Sequence, residues 1–135
     1  MLPRTLLKGK NFKDKLYSEK YLSGVWSTLG SENIAHIMAN SGLDYILIDL
    51  EHGLGGFETI SKQVLSILSL ETAVMVRLPD HSEISIKRIL DAGANAILVP
   101  QVNNIDQAQE IIKNYGADAV RFFIPSDSPP EKDIR

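Results

Sequence analysis

One local pattern recurs three times and limits the architectures open to this chain. Gly42-Leu-Asp-Tyr-Ile46, Gly93-Ala-Asn-Ala-Ile97 and Gly116-Ala-Asp-Ala-Val120 each close a helical stretch and launch an apolar run. Glycine takes the left-handed position just past a helix end, and the following Asp or Asn turns the chain into a strand. Helix–turn–strand units in series imply right-handed crossovers and a parallel sheet. The spacing between the three copies varies, so they do not read as a solenoid repeat.

The remaining elements fit around these units. Residues 4–20 are basic and mixed, and predict a short helix with Leu6, Leu7, Leu16 and Tyr17 as its buried positions. Ser23-Gly-Val-Trp-Ser-Thr-Leu-Gly30 predicts a brief strand in which Val25 and Trp26 suit a pleated, buried setting. Ser31 offers an N-cap to a helix with Ile34, Ile37 and Met38 on its apolar face, leaving His36 on the solvent side. Tyr45 to Leu50 is an apolar run of the kind buried on both faces of a sheet. A helix follows through Phe57, Ile60, Val64, Ile67 and Leu68, and Ala73 to Leu78 is the next strand, stopped by Pro79. Ser82 caps a helix with Ile86, Ile89 and Leu90 inside, Ala96 to Val99 is a fourth strand, and Asn104 with Gln107 resembles a capping box opening a helix through Ile112. Val120 to Ile124 makes a fifth strand, and the polar, proline-rich residues 125–135 read as a disordered tail. Four or five such units are about half of an eight-fold barrel, which typically takes about 250 residues. An open doubly wound sheet of five strands satisfies the same periodicity.

Composition excludes some classes of function. Of 135 residues, 44% are apolar, the net charge is -3, and the 14 Lys and Arg are scattered, which argues against a nucleic-acid face. There is no cysteine, so neither a disulfide framework nor a thiolate metal site is available. No run reaches the roughly 18 apolar residues of a membrane span, and the first residues lack a signal peptide's apolar stretch, so a cytoplasmic protein is expected.

Chemistry-bearing residues gather after the strands. Asp49, Glu51 and His52 follow the second strand, Arg77 ends the third and Gln101 follows the fourth. The C-terminal ends of parallel strands share one edge, so these side chains can line one pocket. An imidazole is the natural general base at working pH, and a guanidinium fork can hold a carboxylate or an enolate oxygen. Pairing of Arg77 with Asp49, and capping of a turn by Glu51, are the purely structural readings of the same residues. Asp80 and His81 read as a polar loop, and Gly53-Leu-Gly-Gly56 as a turn rather than a phosphate cradle.

Several ordered blocks carry a resemblance. Gly24-Val-Trp26, Gly42-Leu-Asp44, Ile48-Asp-Leu-Glu-His-Gly53, Val76-Arg77, Ile86-Lys-Arg-Ile-Leu-Asp-Ala-Gly93 and Leu98-Val-Pro100 resemble the HpcH/HpaI family. These are metal-dependent (class II) aldolases of 2-keto acids. The resemblance runs over about residues 20–104 and implies an α/β fold, the N-terminal part of a TIM-type barrel spanning residues 1–124. It implies cleavage of a 4-hydroxy-2-keto acid to pyruvate and an aldehyde by a lyase that works as a homo-oligomer. His52 matches the family's proton-transfer histidine, Arg77 the arginine that steadies the pyruvate enolate, and Asp91 the aspartate credited with raising that histidine's basicity.

The resemblance also implies a divalent metal of the Mg²⁺ or Mn²⁺ class, held by a glutamate and an aspartate from the barrel's second half that this sequence does not contain. The family's Tyr-Pro-Pro-x-Gly-x-Arg-Gly segment survives only as Tyr115 and Arg121 at the same spacing, so the chain reads as truncated or altered in frame from about Tyr115. A second reading follows: a non-catalytic half-barrel that acts, if at all, by association through its open sheet edge. A third is an open-sheet enzyme that binds metal through Asp49 and Glu51.

Overall fold

The computed structural model describes residues 4–115 and 120–122. Two of the three recurring glycines do what the sequence requires of them, and the third, Gly116, lies outside the described residues. Gly42 and Gly93 sit at φ +85° and +98°, the left-handed turn that ends a helix. The Asp or Asn two residues on then anchors the strand that begins there. Asp44 Oδ2 accepts the Ser23 amide at 2.9 Å, and Asn95 Oδ1 accepts the Val74 amide at 2.9 Å, so each turn residue is bonded to the neighbouring strand entrance.

The elements run α1 (Arg4–Ser18), β1 (Gly24–Ser27), α2 (Glu32–Ala39), β2 (Tyr45–Asp49), α3 (Phe57–Ile67), β3 (Ala73–Arg77), α4 (Glu83–Asp91), β4 (Ala96–Leu98), α5 (Ile105–Tyr115) and β5 (Val120–Phe122). Every strand pair is parallel, and the spatial order is β1-β2-β3-β4-β5. A doubly wound sheet needs a point at which strand order reverses. Here it never reverses, so the described sheet is a segment of a barrel wall. The register is continuous where it matters: Trp26 lies beside Leu47, and Asp49 beside Arg77.

Strand alternation divides the sheet into two faces. Ile46, Ile48, Val74, Val76, Ile97 and Val99 point outward, into a core with Ala35 and Ala39 of α2, Ile60, Val64 and Ile67 of α3, Ile86 and Ile89 of α4, and Ile111 of α5. Leu47, Met75, Ala73, Ala96 and Leu98 point inward, and Phe12 of α1 packs on them. Burial of one such aliphatic side chain is worth about 1.5–3 kcal/mol, so the helix-covered face supplies most of the adhesion. Ser31 and Ser82 cap α2 and α4 as the sequence requires, accepting from the amides of Ile34 and Ser85. Asn104 Oδ1 accepts the Gln107 amide at 2.9 Å, while the Gln107 side chain reaches back one residue further than a capping box, to the Asn103 amide.

Several packing expectations are corrected. Leu6, Leu7 and Tyr17 of α1 are exposed, and the buried residues are Lys8 and Phe12, with Leu16 partly covered. α1 does not lie on the sheet by one apolar stripe. It crosses the N-terminal ends of the strands, tied by polar contacts: Arg4 to the Ser69 carbonyl at 2.6 Å, Lys8 Nζ to the Ile67 carbonyl at 3.2 Å, Lys15 to Asp44 at 2.9 Å, and Asn95 Nδ2 to the Thr5 carbonyl at 3.0 Å. On α2, Ile37 faces solvent and the small Ala35 and Ala39 lie inside, because α2 packs tightly against α3 and its neighbouring strands. His36 is exposed as expected, and its Nδ1 donates to the Ser66 carbonyl at 2.7 Å, which fixes the proton of the neutral ring on Nδ1. Trp26 is 46% exposed rather than buried. The reading of residues 125–135 as a tail, and of strand continuing through Ile124, lies outside the described residues.

Candidate active site

Parallel strands bring Asp49 and Arg77 to adjacent register positions at the C-terminal end of the sheet, both facing inward. Asp49 is the buried centre. Its Oδ1 accepts Arg77 Nε at 2.9 Å and the amides of Glu51 and His52 at 2.9 and 3.1 Å. Its Oδ2 accepts Arg77 Nη2 and the indole N–H of Trp26, the latter at 3.1 Å. Burial alone raises the Asp49 pKa, but the Arg77 fork, the His52 amide and the indole N–H outweigh it and hold the carboxyl at about 2. The same pairing raises Arg77 above its ordinary value, against the opposing pull of burial.

The turn after β2 then folds back over this pair. Two of its amides are satisfied by Asp49 Oδ1, as in an Asx turn, and this places Glu51 and His52 on either side of the guanidinium. Gly53 is required at the next position, since a Cβ there would run into the Asp49 carbonyl oxygen. Leu54 donates its amide to the Thr28 carbonyl at 2.8 Å, which stitches the turn to the end of β1. These glycines shape a tight turn, and the phosphate-cradle reading finds no support in the contacts around them.

Arg77 is the hub. Glu51 Oε2 meets Nη1 at 3.1 Å, His52 Nδ1 meets Nη2 at 2.8 Å, and the guanidinium carbon lies 4.9 Å from the centre of the Trp26 ring. A guanidinium only donates, so Nδ1 of a neutral His52 accepts and the ring carries its proton on Nε2. Gln101 sits at φ +56°, a left-handed conformation for a non-glycine residue, and its side chain reaches Glu51 Oε1 at 3.5 Å. Trp26, Glu51, His52, Arg77, Leu98, Val99 and Pro100 enclose a cavity of about 240 Å³, enough for a small carboxylate.

The structure therefore brings together Asp49, Glu51, His52, Arg77 and Gln101, as the strand-end argument requires. It does not bring Asp91 to them. Asp91 is an exposed residue ending α4, just before the entrance of β4, so it lies at the opposite end of the sheet from His52. Asp80 accepts the Ser82 amide at 2.9 Å and shapes the entry to α4, consistent with its structural reading. Trp26 is the site residue the sequence reading missed as such. Its signal was the register, since alternation from Leu47 across to β1 puts Trp26 on the inner face.

The residues present do not fit a divalent metal site. Both Asp49 oxygens are already taken by five donors, and Glu51 is drawn to Arg77. Among the described residues, no group of three or more His, Asp or Glu side chains is arranged to hold an ion. Metal binding through Asp49 and Glu51 is thereby disfavoured on the chemistry of the donor set.

This arrangement has relatives. The chain belongs to the HpcH/HpaI aldolase/citrate lyase family, whose model matches residues 22–120. It is 35% identical over 102 residues to a hydroxypyruvate/pyruvate aldolase of Roseobacter denitrificans, a match covering 76% of this chain and 40% of that protein. It is 34% identical over 101 residues to a 4-hydroxy-2-oxo-heptane-1,7-dioate aldolase of Salmonella dublin, covering 75% and 38%. In three dimensions it matches the crystal structure of an HpcH/HpaI aldolase/citrate lyase family protein from Burkholderia cenocepacia J2315, at TM-score 0.71 and 27% identity over 84% of this chain and 48% of that one. The chain thus spans about two fifths of the length of these curated relatives. No helix among the described residues is long and apolar enough to cross a membrane.

Proposed function

We propose that this chain carries the proton-transfer and enolate-holding part of a carbon–carbon lyase site acting on 4-hydroxy-2-keto acids. The observation behind the reading is the contact of Arg77 with His52 at the mouth of a small cavity on the C-terminal edge of the sheet. In the retro-aldol direction a base takes the proton of the C4 hydroxyl. The C3–C4 bond then breaks, its electron pair passes to C3 and onto the C2 oxygen, and C4 departs as an aldehyde. The enolate takes up a proton at C3 and becomes pyruvate.

His52 and Arg77 supply the two roles this requires. Four of the guanidinium's five N–H groups face Asp49, Glu51 and His52, so one Nη1 N–H is open to an incoming oxygen and a second is gained by displacing an acceptor. Replacing His52 Nδ1 on Nη2 does two things together: it seats the enolate oxygen on the cation and frees the Nδ1 lone pair for the hydroxyl proton. Asp49, with its low pKa, stays ionised and keeps Arg77 aimed. A role for Asp91 at the histidine requires a second copy of the chain, since within one molecule the two residues lie at opposite sheet ends, and a homo-oligomer is part of the proposal. Divalent-metal dependence, by likeness to the family, is part of it as well, with ligands outside the residues described above.

Exchange of pyruvate methyl protons with D₂O, followed by proton NMR with Mg²⁺ or Mn²⁺ present, tests this reading. The proposal predicts exchange above the buffer rate that falls at least about a hundredfold in His52→Ala, within the range of general acid–base catalysis. Exchange at the buffer rate, or exchange indifferent to His52→Ala, overturns it.

A further inference from the structure

Trp26 is the only tryptophan of the chain. It stands on β1, an edge strand of the described sheet, and joins two groups that lie on β2 and β3. Its N–H donates to Asp49 Oδ2 at 3.1 Å, and its ring face lies 4.9 Å from the guanidinium carbon of Arg77. Each contact restrains a different degree of freedom. The hydrogen bond fixes the plane of the carboxylate that grips Arg77 Nε and Nη2, and the ring blocks the guanidinium from swinging toward the open inner face.

The surroundings show why such a restraint is needed. Trp26 lines the small site cavity and also a groove of about 350 Å³ with Phe12, Leu16, Leu22, Met75 and Leu98. With Leu98, which also lines both, it forms the wall between the two. Without that wall the guanidinium has room to follow water into the groove, away from His52 and Glu51. The two-point grip of Asp49 on Nε and Nη2 fixes the direction of the guanidinium within its plane, and the ring face opposes rotation out of that plane.

We infer that Trp26 is a positioning residue for Arg77, setting the plane in which the guanidinium meets a planar carboxylate or enolate ligand. This rests on the proposed reading of the site, and deepens it. Trp26 touches no reacting atom, and it acts through Asp49 and Arg77. Its aromatic face and its N–H make separable contributions, so Trp26→Phe removes only the hydrogen bond and Trp26→Leu removes both.

Two measurements on the full chain test the inference independently. The first is solvent exchange of the single indole N–H, read by NMR, which requires no ligand and no turnover. Despite an exposure of 46%, the bond to Asp49 should slow exchange at least about tenfold relative to free tryptophan, and Arg77→Lys should partly restore it. Exchange at the free rate overturns the inference. The second is affinity for oxalate, a planar dianion with the shape of the pyruvate enolate. Trp26→Phe should weaken oxalate about tenfold and Trp26→Leu further, toward a hundredfold, while a fold check by circular dichroism stays unchanged. Oxalate binding that depends on Arg77 but is indifferent to both Trp26 variants overturns the inference and leaves the site reading intact. Protected indole with no oxalate binding by the wild type sinks the site reading instead, and with it the functional part of this inference.

Discussion

The two ends of the sheet use polar side chains in opposite ways. At the N-terminal end each polar group makes a separate tie to α1, so that Arg4, Lys8, Lys15 and Asn95 act as pegs along a helix. At the C-terminal end Asp49, Glu51, His52 and Trp26 all converge on one guanidinium. Pegs distribute load and can be removed one at a time. A convergent cluster concentrates field and geometry at one point, which is what binding a small anion requires. The contrast separates scaffold from site without reference to any relative.

Removing the hub should cost most. Arg77→Met leaves the Asp49 carboxylate buried without its cation, and unfolding experiments should show a loss of about 3–5 kcal/mol. Adding Asp49→Asn to that variant should recover part of the loss, since the stranded charge is then gone. By contrast, Arg4→Ala at the other end should change stability by less than about 1 kcal/mol, because its ion pair with Glu71 is exposed.

pH separates the two ends by window, alkaline for Lys8 and acid for Asp49. Burial, helped by Arg4, lowers the Lys8 pKa from 10.5 to about 8. The unfolded chain therefore holds this proton more tightly, and stability should rise as pH increases from about 8 to 10.5, by up to about 3 kcal/mol. Denaturant midpoints across that range should be flat, relative to wild type, in Lys8→Met. Asp49 is shifted from 3.8 to about 2, so its contribution is complete above pH 3.8 and is lost as pH falls toward 2, about 2 kcal/mol in all. Asp49→Asn should remove that acid limb and leave the alkaline one. A smaller effect sharpens the scaffold side: Ser82→Ala strips the α4 cap and should cost about 1 kcal/mol with no change in any property of the site.

Much of this was legible in sequence, for identifiable reasons. Gly42 and Gly93 with the Asx residues behind them announced the helix–turn–strand units, because left-handed turns and strand entries admit few residue types. The inward pairing of Asp49 with Arg77 follows from strand alternation once the sheet is known to be parallel. α1 was misread because periodicity assumes an apolar stripe on a flat surface, whereas this helix lies across strand ends and buries the stem of Lys8 with its amine on a carbonyl. Strand order could not be read at all. Local propensity is the same in a barrel wall and a doubly wound sheet, and only the sequential neighbours of β1 to β5 distinguish them. Trp26 escaped for a related reason: its role depends on which face of an edge strand it occupies, and therefore on register.

The contrast between the two ends has one direct test. Oxalate or pyruvate titrated into the ¹⁵N-labelled chain, with amide and indole signals followed by NMR, reports where a ligand acts. The account predicts shifts at Trp26, Glu51, His52, Gly53, Arg77, Val99 and Gln101, and none at Thr5, Lys8, Asp44 or Asn95. Shifts centred on the N-terminal end of the sheet, or no shifts at millimolar ligand, contradict it.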